Sequence, residues 1–529
     1  MSRLPLHPAG NVIPLGTNPI VPSHLISSRA PHFPKFQPTT TTMSLPDLSK
    51  LTAYPTPSSF EPTDPLNPRP LRPLQPPPPH LTSNPPSLPS PPRPNPFKSN
   101  PEWTCTTHIF PAAFPRSTPD IPVSPPTYTP DKKEWKRRVE ACASELFELR
   151  DKQWRGELER EGWRPSEKLL WGVVNRYVRR DTTRERESKR GQWDVGVSMF
   201  FAHANGFPKE IWEPTLEEIV NSPSAKHVTE IWVWEAVNHG DAGLINAPNL
   251  SGIYDWQDNA RDILTFLLYH LPISPFVPSD SLPTLLPRLP DTVVDARRRY
   301  GYGGRKLFAV GHSYGGCSVA IASTHTPTLF TNIVFVDPII RLPRPGRPVP
   351  PPVVATLVQG ALSRRGRWRD REEAKTLFLQ SNFFKVWHPS VLEKYVQHGL
   401  VEVPLSSSSS PNPNTDANDT VPAKEVQLKM PSFQEAVVFT ECNTSYEAWM
   451  LVPRIDERIE LKFVMPGVVP AFEIKEKQQL VHLRPRNSSN VIIHGAGHLV
   501  PHEAPKDVAR EIVDVLERKY VQRELVSKL

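Results

Sequence analysis

The sequence predicts an α/β fold: a mostly parallel sheet with helices on both faces, a helical cap inserted after a strand ending near Val336, and a disordered proline-rich leader. Three observations lead there. Beyond residue 165, short apolar runs alternate with helix-length segments, the pattern of strands buried between helical layers. Between Asp337 and Glu460 that alternation gives way to helical patterns. And 35 of the 66 prolines in this 529-residue chain crowd into residues 1–130.

The leader, residues 1–102, contains an unbroken run at Pro76–Pro79 and the tract Pro85–Pro96. Proline lacks an amide donor and disfavours helix in the residue before it, so neither helix nor sheet propagates there and polyproline II is the default. PxxP matches carry little information in so rich a tract, and Met43 is an alternative start to Met1. Collagen is excluded, since glycine numbers only 24 and has no period. The folded unit is expected over 103–529, with a charged helical insert at 131–165 in which Trp135, Val139, Cys142, Leu146 and Leu149 fall at helical spacing. Strands are predicted at Leu169–Val178, Val195–Ala202, Glu230–Val237, Lys306–Val310, Asn332–Val336, Glu460–Met465 and Asn490–His494, and helices at Trp256–Leu271, Gly315–Thr324 and from about Pro505 to Arg518. The cap, 338–455, shows helical patterns at Arg369–Phe384 and Ser390–Leu400 and then a polar tract, Ser406–Asn418, read as a loop.

Bulk properties remove several function classes. The net charge of +7 is mild for this length, and its basic residues lie in mixed-sign runs such as Asp131–Arg138 and Arg179–Arg190, which argues against a nucleic-acid partner. Cys105, Cys142, Cys317 and Cys442 are far apart and show neither disulfide-scaffold nor zinc spacing, as suits a reducing compartment. There is no apolar stretch long enough for a membrane span, and without an apolar run behind a basic N-terminal segment a secretory signal is not expected.

The strongest local signal is Gly311-His312-Ser313-Tyr314-Gly315-Gly316, which joins an apolar strand to a helix of small residues. In this context G-x-S-x-G makes a sharp turn with the serine at its tip and at the positive end of the helix, so Ser313 is the candidate nucleophile. A serine hydroxyl needs a base. His498, in a glycine-bearing loop after the strand Val491–Ile493, is the candidate; His494, expected to be packed or backbone-bonded, and His502, expected to be exposed, are its rivals. The acid should lie between nucleophile and base in sequence, an order found in α/β-hydrolases and not in other serine-protease folds. Asp337, directly after its strand, is favoured, and Glu473 is the alternative. The amide of Tyr314 and that of Phe207, in the Gly-x-Pro loop Gly206-Phe207-Pro208, are the expected oxyanion donors. His203, Asn205, Gly240–Gly243 and Asp241 border the expected site with structural roles.

His203-Ala-Asn-Gly-Phe-Pro-Lys-Glu210, Trp256-x-Asp258-x-Ala260-Arg261-Asp262, Gly311–Gly316, Val336-Asp337-Pro338 and Gly497-His498-Leu-Val-Pro501 together resemble one group. That group is the fungal α/β-hydrolases similar to the peroxisomal AK-toxin biosynthesis hydrolases, with the yeast peroxisomal lipase a looser relative. The resemblance starts near Trp103 and implies a serine nucleophile, a cap domain, peroxisomal residence and a place in secondary-metabolite or lipid metabolism. It favours Asp337, because the group often lacks a carboxylate after the strand that precedes the histidine loop. The expected activity is cleavage of a carboxylic ester or thioester, with a small-molecule substrate and neither metal nor organic cofactor. The alternatives are a non-hydrolytic isomerase, cyclase or lyase on the same fold, and an inert scaffold that uses the leader. The chain ends Ser527-Lys528-Leu529, the tripeptide read by the peroxisomal import receptor, which predicts the peroxisomal matrix.

Overall fold

The computed structural model describes residues 48–64, 66–180, 196–278, 281–343, 351–404 and 424–521. Eleven strands occur among them: β1 (Trp103–Pro111), β2 (Trp171–Arg179), β3 (Gly196–Ala202), β4 (Val228–Glu235), β5 (Arg305–His312), β6 (Phe330–Val336), β7 (Arg367–Trp368), β8 (Leu400–Pro404), β9 (Lys424–Leu428), β10 (Glu460–Pro466) and β11 (Ser488–Ile493). Eight form one sheet in the order β1-β2-β4-β3-β5-β6-β10-β11. The pairs β1·β2 and β2·β4 are antiparallel, and the rest of this sheet is parallel. All of β3 is buried, and so is nearly all of β5 and β6. That is why these segments read as continuous apolar runs: they are covered on both faces. Successive side chains alternate between two cores. Phe200, Trp232, Ala309 and Phe335 enter one, and Met199, Phe201, Val233, Phe308 and Val310 the other.

All seven predicted strands are present. β1 was not foreseen as a strand. Its alternating threonines and histidine give a weak local signal, and it is defined by pairing with β2, from Trp103↔Arg179 to Pro111↔Trp171. Gly172 lies opposite Phe110 and must be a glycine, because a Cβ there would fall 2.3 Å from the ring.

The charged insert is a helix, Lys132–Trp154, whose N-cap Asp131 accepts from the amides of Lys133 and Glu134. Its buried face, Val139, Cys142, Ala143 and Leu146, packs against the cap helices Pro352–Ser363 and Ser432–Thr440. The cap is not purely helical. Helices Arg371–Gln380 and Pro389–His398 stand where the periodicity placed them, but β7, β9 and β8 form a small antiparallel sheet between them and the rest of the cap. These strands are only two to five residues long and half exposed, so they leave little periodicity to read. The tract Ser406–Asn418 lies outside the described residues, as do residues 1–47 and the terminal Ser527–Leu529.

The leader was expected to be disordered as far as residue 102, but its described part, from Leu48 on, runs along the domain as an extended strap. Proline does preclude extended helix or sheet here. Docking comes from side chains and a few backbone bonds. Tyr54 and Phe97 are buried, and Ile492 of β11 donates its amide to the Thr52 carbonyl at 2.8 Å. Arg69 ion-pairs with Asp255 and Glu447, each at 2.8 Å, and Arg93 with Glu213 at 2.6 Å.

Candidate active site

At the end of β5 the chain turns at Ser313 with φ 56° and ψ −120°, a conformation that non-glycine residues avoid. Close packing on every side imposes it. A Cβ on Gly311 would lie 2.7 Å from Gly316 Cα, one on Gly315 would lie 2.6 Å from the His203 carbonyl oxygen, and one on Gly316 would lie 2.8 Å from Pro338 Cβ. The Ser313 amide donates to the Val336 carbonyl at 3.1 Å, and the Ile339 amide donates to the Ser313 carbonyl at 3.0 Å. The turn is thereby locked to the end of β6, and the helix Tyr314–His325 departs from it with its first ten residues buried.

The structure brings together three residues that are far apart in sequence. Ser313 Oγ lies 2.9 Å from His498 Nε2, and His498 Nδ1 lies 2.7 Å from Asp337 Oδ2. Asp337 is 1% exposed and the His498 side chain 43%. Burial by itself pushes the Asp337 carboxyl up; Lys477, and after it His498, outweigh that and hold it well below the usual carboxylate range. With Asp337 ionised, Nδ1 of His498 carries the proton and Nε2 is left to accept from the Ser313 hydroxyl. Glu473, the alternative acid, is not brought to His498. It sits behind Asp337, 3.5 Å from Lys477 Nζ and 3.9 Å from Arg341 Nη1.

The rival histidines differ from expectation. His494, expected to be packed, is exposed. His502, expected to be exposed, is fully buried: the turn Val500–Glu503 folds it between Phe207, at 4.3 Å between ring centroids, and Trp387 of the cap, at 4.7 Å. Burial, then the neighbouring histidines, push its pKa well below the ordinary value, so it is neutral. Local sequence carried no sign of this, since the covering residues come from β3's loop and from the cap.

The loop Ala202–Pro208 lies against the Ser313 turn, as the Gly315 contacts require. His203 is a scaffold residue: Nδ1 donates to the Ala204 carbonyl at 2.8 Å, and Nε2 accepts from the Ala236 amide at 3.1 Å. His239 Nε2 accepts from the Gly206 amide at 3.0 Å, and Asn205 donates to the Glu435 carbonyl at 3.2 Å. Among the described residues no hydrogen bond uses the amide of Phe207 or of Tyr314. Below the loop, Asp241 is held by Lys209 at 2.9 Å and by Lys429 at 2.6 Å. A Cβ on Gly240 would fall 1.9 Å from Glu235 Oε1, so this segment is built into the scaffold.

Two neighbours of the site were not singled out from sequence. His312 donates from Nε2 to the His498 carbonyl at 3.0 Å, which ties the histidine loop to β5. Its place beside Ser313 inside the motif was the available signal. Lys477 Nζ lies 2.6 Å from Asp337 Oδ1, across 140 residues of sequence, and nothing local marks it. Among the described residues no cluster suited to a metal ion occurs, and no helix is long and apolar enough to cross a membrane.

Comparison with known proteins places this arrangement. Residues 199–511 match the model described as the alpha/beta hydrolase family. The chain is 27% identical over 217 residues to the type I acyl-CoA thioesterase mpaH of Penicillium brevicompactum, covering 40% of this chain and 41% of that protein. It is 23% identical over 341 residues to the peroxisomal membrane protein LPX1 of Saccharomyces cerevisiae, covering 63% and 77%. It is 34% identical over 96 residues to the abhydrolase domain-containing protein ACTT2 of Alternaria alternata, covering 18% and 33%. The chain thus spans less than half the length of the thioesterase it matches. The solved structure of the yeast peroxisomal alpha-beta-hydrolase Lpx1 superposes with a TM-score of 0.51 at 15% identity, over 80% of this chain and 90% of that one.

Proposed function

The chain belongs to the alpha/beta hydrolase family, and we propose that it cleaves a carboxylic ester or thioester through an acyl-enzyme on Ser313. The reading rests on the continuous hydrogen-bonded line from Ser313 through His498 to Asp337. Ser313 attacks the substrate carbonyl while His498 takes its proton. His498 then returns that proton to the leaving alcohol or thiol, and water, activated by the same imidazole, releases the acid. Asp337 orients the imidazole and stabilises the imidazolium. The amides of Phe207 and Tyr314 receive the developing oxyanion. The neighbouring neutral His502 adds no positive charge beside the imidazole. The thioester arm draws on the likeness to a fungal acyl-CoA thioesterase, and a setting in fungal secondary metabolism on the segment shared with ACTT2. Peroxisomal residence draws on the Ser527-Lys528-Leu529 tripeptide and on the yeast relative.

A fluorophosphonate probe tests the nucleophile. The wild-type protein should label and hydrolyse p-nitrophenyl acyl esters or acyl-CoA, and S313A should do neither; labelling that persists in S313A refutes the assignment. Imaging tests the address: removal of Ser527–Leu529 should leave the protein in the cytosol.

A further inference from the structure

A carboxylate that orients a histidine presents one oxygen to the ring, and its second oxygen needs a donor of its own. Here the donor is a lysine side chain. Lys477 stands on the helix Ala471–Leu480, which follows β10, and its Nζ lies 2.6 Å from Asp337 Oδ1 while Oδ2 faces His498 at 2.7 Å. The contact is shielded, with the Lys477 side chain 12% exposed and Asp337 1%. Charge in such a place acts at a lower effective dielectric than at a surface.

We propose that Lys477 is a positioning residue for the reaction read above: it fixes the plane of the Asp337 carboxylate against His498 and cancels part of the negative charge that the imidazolium faces. The inference rests on the Ser313 reading. The surroundings of the contact support it from every packed element. On its own helix Lys477 reaches Glu473 at 3.5 Å, and Glu473 in turn faces Arg341, from the segment after β6, at 3.9 Å; Arg341 also faces Glu476 at 3.9 Å. From the strap, Tyr54 is buried against the same group, and its hydroxyl makes no hydrogen bond among the described residues. Burial, then the charges of Asp337 and Glu473, push its phenol well above the ordinary value, so it stays neutral. From the nucleophile side His312, lowered to about 3 chiefly by burial, is neutral as well. Lys477 is therefore the cation in direct contact with the carboxylate that serves His498.

Removing that cation exposes the imidazolium to the uncompensated Asp337 charge, so the protonated form of the base persists to higher pH. The readout is the rate constant of fluorophosphonate labelling between pH 5 and 9, which reports only on folded, competent molecules. For both K477M and the less disruptive K477Q, the midpoint of the acidic limb should rise by about one pH unit. K477R keeps the charge and should restore the wild-type midpoint. K475M removes an exposed lysine of the same helix and should change nothing. A wild-type midpoint in both K477M and K477Q, or a midpoint in K477R displaced as far as theirs, overturns the proposal while the Ser313 reading stands. Labelling of S313A overturns that reading, and this proposal with it.

Discussion

Replacing Arg69 by alanine should destabilise the whole hydrolase unit, although the residue sits in a stretch whose composition reads as a loose tail. Its Nη1 lies 2.8 Å from Asp255 Oδ2 and its Nε 2.8 Å from Glu447 Oε1, and both carboxylates are fully buried. Asp255 retains Arg150 at 3.5 Å and the amide of Gln257. Among the described residues Glu447 retains only neutral donors, the Gln257 side chain at 3.0 Å and the backbone amide of residue 69. The loss therefore falls on Glu447, whose carboxyl burial already pushes up. Breaking a buried pair by removing one partner costs about 3–5 kcal/mol, and the 32% exposure of Arg69 lowers this to roughly 2–4 kcal/mol. Urea unfolding of the full chain at pH 7 measures it. In R69A the folded Glu447 carboxyl rises further above its unfolded value, so the group gains a proton and loses its penalty as pH falls; the deficit should shrink at pH 5. A loss below about 1 kcal/mol at pH 7, or a deficit that does not shrink with pH, would refute the docking of the strap.

Other outcomes follow from the same geometry. D337N should lower kcat/KM by about 10⁴-fold with the fold retained, because the imidazole loses the partner that fixes its tautomer; E473Q should retain most of the activity, and equal losses in both would contradict the placement of the acid. G315A drives a Cβ to within 2.6 Å of the His203 carbonyl oxygen, so it should destabilise the protein by about 1–3 kcal/mol and abolish probe labelling by parting the loop Ala202–Pro208 from the Ser313 turn. His312 is neutral when folded, lowered to about 3 mainly by burial, and takes up a proton near pH 6.5 when unfolded. Its stability contribution is thus complete above that value and is lost as pH falls toward 3. H312N should remove about 2 kcal/mol of the stability difference between pH 5 and pH 7, read as urea unfolding at the two pH values; an unchanged difference would exclude burial of a neutral ring.

The candidate nucleophile and base were legible as candidates because each is announced by its neighbours along the chain. A strand, a glycine-flanked turn and a small-residue helix surround Ser313, and a strand and a glycine-bearing loop deliver His498. The parallel sheet was legible for a similar reason, since strands covered on both faces must be apolar throughout. Asp337 against Glu473 was a different kind of question. Both follow strands, and only the pairing of β6 with β10, and of β10 with β11, brings Asp337 to His498 and leaves Glu473 away from it.

The chain alone therefore determined the elements whose causes are local: apolar periodicity, turn stereochemistry and the order of the candidate residues. Tertiary structure decided what depends on partners distant in sequence. It buried His502, paired β1 with β2, set Lys477 on Asp337 and laid the proline-rich strap against the domain. Proline content keeps helix and sheet from extending, because it acts on the backbone of its own segment. It does not govern whether Arg69 and Tyr54 find partners 378 and 436 residues away, because that is settled after the fold has brought them together.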